Sequence, residues 1–558
     1  MSVADAADTS LLDVGLWRRY AAEGWIPLRR EGGRMVVGVS APAGRSLRAE
    51  IERALGEPVS IVDVPQSFIV DAVMDAFRDE AVSYAADGLY HADPELSARV
   101  VLTRPQRTGL VIGLLLALAV AVVWPFEAIM TFVAAASVVF LASTLFKFAV
   151  SIRGARFDLV MPVRRSEIEA VRDDELPVYT VLVPVFREAR VVGRLVENLG
   201  RLDYPSDRLE VLVLVEEEDA ETREAIARSD PPANFIVVTV PKGHPQTKPR
   251  ACNVGLAVAR GEYLVIYDAE DAPEPDQLKK TVIAFERASS STVAMQAALN
   301  YFNASENVLT RMFSLEYSYW FDYMLAGLDK GRLPIPLGGT SNHFRTAALH
   351  ELGGWDPYNV TEDADLGIRA SALGYRVGVV DSTTMEEATS RMGIFIGQRS
   401  RWIKGYMQTA LVHARHPIRL TREVGLRAFW ALALLIGGTP LTFLGVLPFT
   451  ILLIGSFFVP WPALALEFPS VVVWLCLLNF LVGNVLMVYL NMMGPYKRGS
   501  FWLVPWSILN PAYWILHSIA SYKALWQLVV KPHYWEKTEH GLSAQEGSLP
   551  ERDAEDVA

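Results

Sequence analysis

Apolar and polar positions divide the chain into alternating soluble and greasy stretches. Residues 11–22 have helical spacing, 34–39 alternate as a short strand, and 47–55 return to helical spacing. Residues 59–64 read as a strand and 67–77 as a helix. This predicts a small α/β domain over residues 1–80, followed by a linker over 81–107. Residues 108–124 and 128–150 are apolar runs joined by a tight Pro125-Phe126-Glu127 turn, and each is long enough to span a bilayer. Residues 177–390 change pattern again. VYTVLVPVF, LEVLVLV, FIVVTV and EYLVIYDAED are short, almost wholly apolar runs separated by helical segments, which predicts a mostly parallel sheet covered by helices on both faces. The C-terminal part is greasy once more. Residues 429–458 form one run interrupted by Pro440 and Pro448, and 471–493 form another. Residues 501–530 hold Pro505, Asn510, Pro511, His517 and Lys523. A re-entrant or interfacial helix pair fits them better than a clean crossing.

Basic residues orient these spans. Arg99, Arg104 and Arg107 precede the first run, and Lys147, Arg153, Arg156, Arg164 and Arg165 end or follow the second. The turn between them has none. The positive-inside rule then places residues 1–107 and 177–390 in the cytoplasm. Residues 459–470 lack Lys and Arg and read as external, Lys497 and Arg498 as internal, and the tail 531–558 as cytoplasmic. The first hundred residues show no basic start, greasy core and small-residue cleavage site, which argues against a cleaved leader.

Composition narrows the class. A mean hydropathy of +0.23 in 558 residues fits membrane spans combined with soluble domains. A formal charge of -11 excludes the basic footprint of a nucleic-acid binder. Cys252 and Cys476 are far apart and give neither a disulfide framework nor a thiolate metal site.

Ligands of open α/β sheets bind beyond the carboxyl ends of strands, so the residues just after each apolar run carry the chemistry. Arg187 and Glu188 follow the first, Glu216, Glu217, Glu218 and Asp219 the second, and Asp268, Glu270 and Asp271 the fourth. Thr361, Glu362, Asp363 and Asp365 come later. Carboxylates gathered at one sheet edge repel unless a cation or proton offsets them. Oxygen ligands of this kind suit Mg²⁺ or Mn²⁺ bound together with substrate phosphates. Gly338, Gly339, Thr340 and Ser341 form a small-residue turn, followed by Asn342 and His343. Residues 392–414 read as an amphipathic helix in the membrane interface, with Ile394, Phe395, Trp402, Ile403 and Tyr406 on its apolar face and Arg391, Arg399 and Lys404 toward headgroups.

Four motifs in order, PVFRE (184–188), DAED (268–271), TED (361–363) and QRSRW (398–402), resemble family 2 glycosyltransferases of the GT-A fold. With the flanking spans, residues 108–540 resemble the cellulose synthase and hyaluronan synthase superfamily. The resemblance implies an α/β GT-A catalytic domain embedded in an α-helical membrane protein of the bacterial inner membrane. It implies an inverting, processive enzyme that extends a polysaccharide from a UDP-sugar, UDP-glucose being the first candidate, with Mg²⁺ or Mn²⁺. Residue by residue, it makes Asp363 the general base with Glu362 in reserve. Asp268, Glu270 and Asp271 become the metal residues, with Glu270 where the family has its second Asp. Pro184, Glu188, Glu216, Glu217, Lys248, Asp268, Gln398 and Arg401 fall to the nucleotide sugar, and Trp402, Gly339, Thr340 and His343 to the acceptor. Glu216 and Glu217 depart from the family's two Asp residues. Two rival readings stay open: single sugar transfer to a lipid, and a catalytically silent secretion or sensor subunit. The N-terminal WIPLRREGGRMVVGVSAP resembles the N-terminal domain of type II secretion ATPases, which implies a scaffold for a protein partner or a site for cyclic di-GMP.

Overall fold

The computed structural model describes residues 8–40, 45–156, 162–456, 458 and 469–537. The chain forms two compact units. One contains Met1–Ala92, Arg164–Ile283 and Thr340–Pro357, and the other Asp93–Val163, Ala284–Gly339 and Tyr358–Ala558. Segments of residues 177–390 fall in both.

The first unit begins with α1 (Trp17–Glu23), β1 (Trp25–Glu31), β2 (Arg34–Val39), α2 (Arg45–Leu55), β3 (Val59–Asp63), α3 (Gln66–Ala76) and α4 (Arg78–Ala92). β1 pairs antiparallel with β2, and β2 parallel with β3. The β1–β2 hairpin turns on Gly32 and Gly33, whose positive φ of 56° and 79° suits a two-residue turn matched to strand twist. β1 is absent from the pattern-based expectation because Pro27 breaks its alternation. The strand accommodates the proline with an irregularity in register between Pro27 and Arg29. The structure also corrects the linker. Its first part is α4, which buries Ala81, Ala85, Ala86 and Leu89. A face of small alanines gives a weak hydrophobic signal, yet it permits close helix packing.

The same unit holds a larger sheet built from β4 (Tyr179–Val185), β5 (Leu209–Glu216), β6 (Phe235–Val240) and β7 (Tyr263–Ile266). β6, β5, β4 and β7 lie side by side and parallel, and the strand Asn342–Arg345 runs antiparallel along β7. Every residue of β5 is buried, as is every residue of β4 except Pro184, which is half-buried. That accounts for their continuous apolar runs. Chain order reverses between β4 and β7, the place where such sheets open a ligand crevice.

In the second unit the strands Thr292–Tyr301 and Arg376–Glu386 pair in parallel. Among the described residues four helices are long and apolar enough to cross a membrane: Arg104–Val123, Pro125–Gly154, Pro417–Gly455 and Ser470–Lys497. Pro105 stands in the first turn of the first helix, where its missing N–H costs nothing, and Thr103 and Gln106 close a capping box. Residues 501–530 are a 3-10 segment, Phe501–Leu509, followed by the helix Asn510–Val530, which is not among those four. Most of the loop read as external, and residues 538–558 of the tail, lie outside the described residues.

Candidate active site

In the first unit, chemistry-bearing side chains collect at the carboxyl ends of β4, β5 and β7. After β4 the backbone turns sharply. Arg187 takes a φ of 55°, and its N–H donates to Asp219. The N–H of Glu188 donates to Thr222 Oγ1 at 3.1 Å. A left-handed conformation at a non-glycine residue is costly and tends to persist where function needs it. At the end of β5, Glu216 is buried and receives Arg250 Nη2 on both carboxylate oxygens, at 2.7 and 3.0 Å. Burial raises the Glu216 carboxyl, and the Arg250 guanidinium opposes that shift. Glu217 points outward, accepting from Arg78 and from the Lys242 N–H at 3.1 Å. Arg78 holds its carboxyl below the usual range.

After β7, Lys248 Nζ donates to Asp268 Oδ1 at 2.5 Å. The Asp268 N–H donates to Asp271 Oδ2 at 2.8 Å, and the Thr340 hydroxyl bonds the same oxygen. Asp271 is wholly buried. Burial, with Asp268 and then Glu270 nearby, pushes its carboxyl well above the ordinary value. Among the described residues its buried Oδ1 has no hydrogen-bond partner, an expensive state for a carboxylate unless a cation or proton serves it. Among the described residues, no three His, Cys, Asp or Glu side chains gather closely enough to hold a metal by themselves. One or two carboxylates completed by phosphate oxygens is the usual arrangement for Mg²⁺, and Asp268 with Asp271 Oδ1 fits it. The first unit thus brings Lys248, Asp268, Asp271 and Thr340 into direct contact, with Glu270 close enough to act on Asp271.

The acceptor expectation for His343 is corrected. Its ring is fully buried, with Nδ1 2.7 Å from the Tyr179 hydroxyl and Nε2 3.2 Å from Gln277 Oε1, and burial lowers it to about 3. The strand that carries it is paired with β7 and covered on both faces, so Asn342, His343 and Phe344 are all buried.

In the second unit, Glu362 and Asp363 are buried in the first turn of the helix Glu362–Ala372, where the helix dipole favours carboxylates. The Thr361 side chain does not cap that helix. Gly405 lies so close to this turn that a Cβ there would stand 2.1 Å from Thr361 Oγ1. Only glycine allows the TED turn to touch the helix Met392–His413, which carries QRSRW. On that helix Gln398 Oε1 is buried and lacks a hydrogen-bond partner, and the Arg401 guanidinium lies 4.6 Å over the Trp535 ring. Trp402 is half-buried beside Phe313 and Tyr317. Gly339 has nothing within 4 Å of its Cβ position, so packing does not demand a glycine there.

The interface-helix expectation is corrected at two residues. Arg399 and Lys404 are buried, not turned to headgroups. Arg399 meets Glu316 through two hydrogen bonds of 2.8 and 2.5 Å and lies 4.3 Å over Phe313 and 4.5 Å over Trp402. Lys404 Nζ donates to the Tyr534 carbonyl at 2.7 Å, and burial lowers its ammonium to about 8. Helical spacing predicts sides, but a buried cation with a partner far away in sequence escapes it. Glu316, Tyr513 and Trp535 were missed for the same reason. For Trp535 the aromatic and charged run KPHYWEK (531–537) after the last apolar stretch was a signal.

Residues 177–405 match the model of the family described as Glycosyltransferase like family 2. They are a family 2 glycosyltransferase domain. The mixed sheet around β4 to β7 agrees with the α/β GT-A fold expected for this domain. Residues 2–82 match the MshEN domain, in agreement with the N-terminal resemblance. The chain is 28% identical over 253 residues to "Probable glycosyltransferase YdaM" of Bacillus subtilis (strain 168), a match covering 45% of this chain and 60% of that one. It is 30% identical over 275 residues to "Glucomannan 4-beta-mannosyltransferase 1" of Oryza sativa subsp. japonica, covering 46% and 52%. The chain spans about half the length of the curated relatives it matches. Among solved structures, a mannosyltransferase from Pyrobaculum calidifontis in complex with GDP-Man and Mn²⁺ covers 71% of this chain and 99% of its own, at 20% identity and a TM-score of 0.45.

Proposed function

We propose that this chain is a membrane-embedded, inverting glycosyltransferase that extends a polysaccharide processively from a nucleoside-diphosphate sugar on the cytoplasmic side. The observation that carries the reading is the acidic turn after β7. There Asp268 is held by Lys248, and Asp271 is buried with an oxygen no protein group satisfies. A cation with a diphosphate answers both features. Two candidate spans precede the glycosyltransferase domain in the chain and two follow it, which supports a catalytic domain returned to one side of a bilayer. A chain of sugar hydroxyls cannot cross lipid unaided, so extension beside the enzyme's own spans would couple synthesis to export. The domain boundaries we assign are 1–80 for a regulatory or docking domain, 108–150 for a membrane hairpin, 177–390 for the catalytic domain, 391–416 for the QxxRW helix and 428–530 for the C-terminal membrane helices.

In this mechanism Asp363 takes the proton from the acceptor hydroxyl, with Glu362 beside it. The freed oxygen attacks the anomeric carbon from the face opposite the diphosphate, and the bond to the diphosphate breaks. Displacement in one step inverts the centre through an oxocarbenium-like state. Mg²⁺ or Mn²⁺ at Asp268, Glu270 and Asp271, when bound, would neutralise the leaving diphosphate. Pro184 and Glu188 border the nucleotide, and Lys248, Gln398 and Arg401 meet the diphosphate. Glu216 and Glu217 stand where the base is held, and Trp402, Gly339 and Thr340 serve the acceptor. A UDP-sugar is the donor that the family resemblance implies. The mannosyltransferase names among the relatives favour a nucleoside-diphosphate mannose as a second candidate. Membranes containing the chain, incubated with a panel of UDP- and GDP-sugars, are expected to form polymer from one of them. Product sizing separates polymer from single addition to lipid. Absence of transfer from every donor would overturn the enzyme reading in favour of a silent subunit.

A further inference from the structure

Helix α4 follows the small N-terminal sheet and its helices, and its contacts within the first unit lead to the donor residues. α4, which buries Ala81, Ala85, Ala86 and Leu89, packs against the helix Lys248–Val258, whose first turn contains Lys248 and Arg250. Asn253, buried in the middle of that helix, donates to the Ala85 carbonyl at 3.0 Å and to the Trp355 carbonyl at 2.8 Å, and accepts from the Trp355 N–H at 3.0 Å. One amide therefore joins α4, the Lys248–Val258 helix and the segment after the strand Asn342–Arg345.

The loop ahead of Lys248 is clamped from the same side. At Gly243 a Cβ would stand 2.8 Å from Arg250 Nη1 and 3.1 Å from Val82 Cγ1, so any side chain there would press on both the guanidinium and α4. The loop is further held by Arg250 Nη1 on the Pro241 carbonyl at 2.7 Å and by the Lys242 N–H on Glu217. Arg78 of α4 pairs with Glu217, but both side chains are more than a third exposed, and such pairs contribute little. The packed face, rather than this ion pair, has the strength to fix the loop.

We infer that α4 is a positioning element for donor binding. Through Val82 and the Ala85 carbonyl it sets residues 241–250, and with them the Lys248–Asp268 and Arg250–Glu216 contacts. Anything that shifts residues 8–92 then changes donor affinity rather than the chemical step. This rests on the donor-site reading above.

The test compares the full-length chain in detergent as wild type, Val82→Ala, Gly243→Ala and the double variant. Donor KM and kcat are measured with UDP-glucose and with GDP-mannose in Mn²⁺, and hydrogen exchange is followed at the amides of residues 241–250. Val82→Ala is expected to quicken exchange there and to raise donor KM roughly three- to tenfold, with kcat held within about twofold. Gly243→Ala is expected to raise KM as well. In the double variant the space vacated by Val82 relieves one of the two contacts the new methyl would make, so its KM lies below the product of the two single effects. Arg78→Ala should move KM by less than about twofold. Unchanged exchange in Val82→Ala, or independent effects of the two substitutions, overturns the coupling. The exchange measurement decides this even if neither donor is turned over, an outcome that counts against the donor-site reading and not against the coupling.

Discussion

Glu316→Gln isolates the buried pair beneath Trp402. In the native protein Arg399 donates twice to Glu316, the Tyr513 hydroxyl donates to the same carboxylate at 2.8 Å, and three aromatic rings surround the guanidinium. Two unit charges about 4 Å apart attract by about 4 kcal/mol at an effective dielectric of about 20. Removing one partner of a buried pair typically costs about 3–5 kcal/mol, because the other charge is stranded. The amide keeps one acceptor for Arg399, and the Glu316 side chain is 30% exposed, so water compensates in part. We expect a loss of roughly 2–3 kcal/mol after that allowance. At about 2–4 °C per kcal/mol for a unit of this size, thermal unfolding in detergent should begin roughly 4–12 °C lower. The sign of the pH dependence is fixed. Burial raises the Glu316 carboxyl, but Arg399, His517 and Tyr513 outweigh it and hold it at about 2, below the ordinary 4.5. The pair's contribution is complete above pH 4.5 and is lost as pH falls toward 2. Wild type should therefore lose stability over that acid window, while the variant loses less. Equal unfolding temperatures at pH 7, or identical acid limbs, would refute the reasoning.

Asp363→Asn should lower transfer by about 10²–10⁴-fold with donor affinity largely kept, since a general base contributes on that scale; activity within a few-fold of wild type, by radiolabelled sugar incorporation, would remove Asp363 from the mechanism. Activity should need Mg²⁺ or Mn²⁺ and vanish with EDTA, because Asp271 Oδ1 has no protein partner; full turnover in excess chelator would sink the metal assignment. Trp402→Ala should shorten product more than it slows donor hydrolysis, since one side of the indole already meets Arg399 and the remaining apolar surface is the acceptor platform we assign. Unchanged product length per folded enzyme would reject that role, whereas full rescue by Phe or Tyr would mark Trp402 as a membrane-interface anchor. A cysteine placed near residue 60 should resist an impermeant thiol reagent in intact cells; labelling there would invert the proposed topology.

Continuous apolar runs were legible because their cause is local. A strand covered on both faces, or a helix in lipid, must be apolar along its length. The sequence alone therefore located β4 to β7 and the four candidate spans. It also placed Asp268, Glu270 and Asp271 at a strand end, since residues adjacent in the chain stay adjacent in the fold. It could not decide which charges meet. Arg250 and Glu216 are 34 residues apart and Arg399 and Glu316 are 83 apart, and each pair forms only because distant segments pack together. His343 fell to the acceptor by family resemblance, whereas pairing with β7 buries it against Tyr179. α4 read as a linker because its buried face is alanine, whose small area gives little hydrophobic signal but lets helices approach closely. Local periodicity records how much of a residue is buried. The partner of a buried charge is set by long-range packing, and that information lies in the tertiary structure.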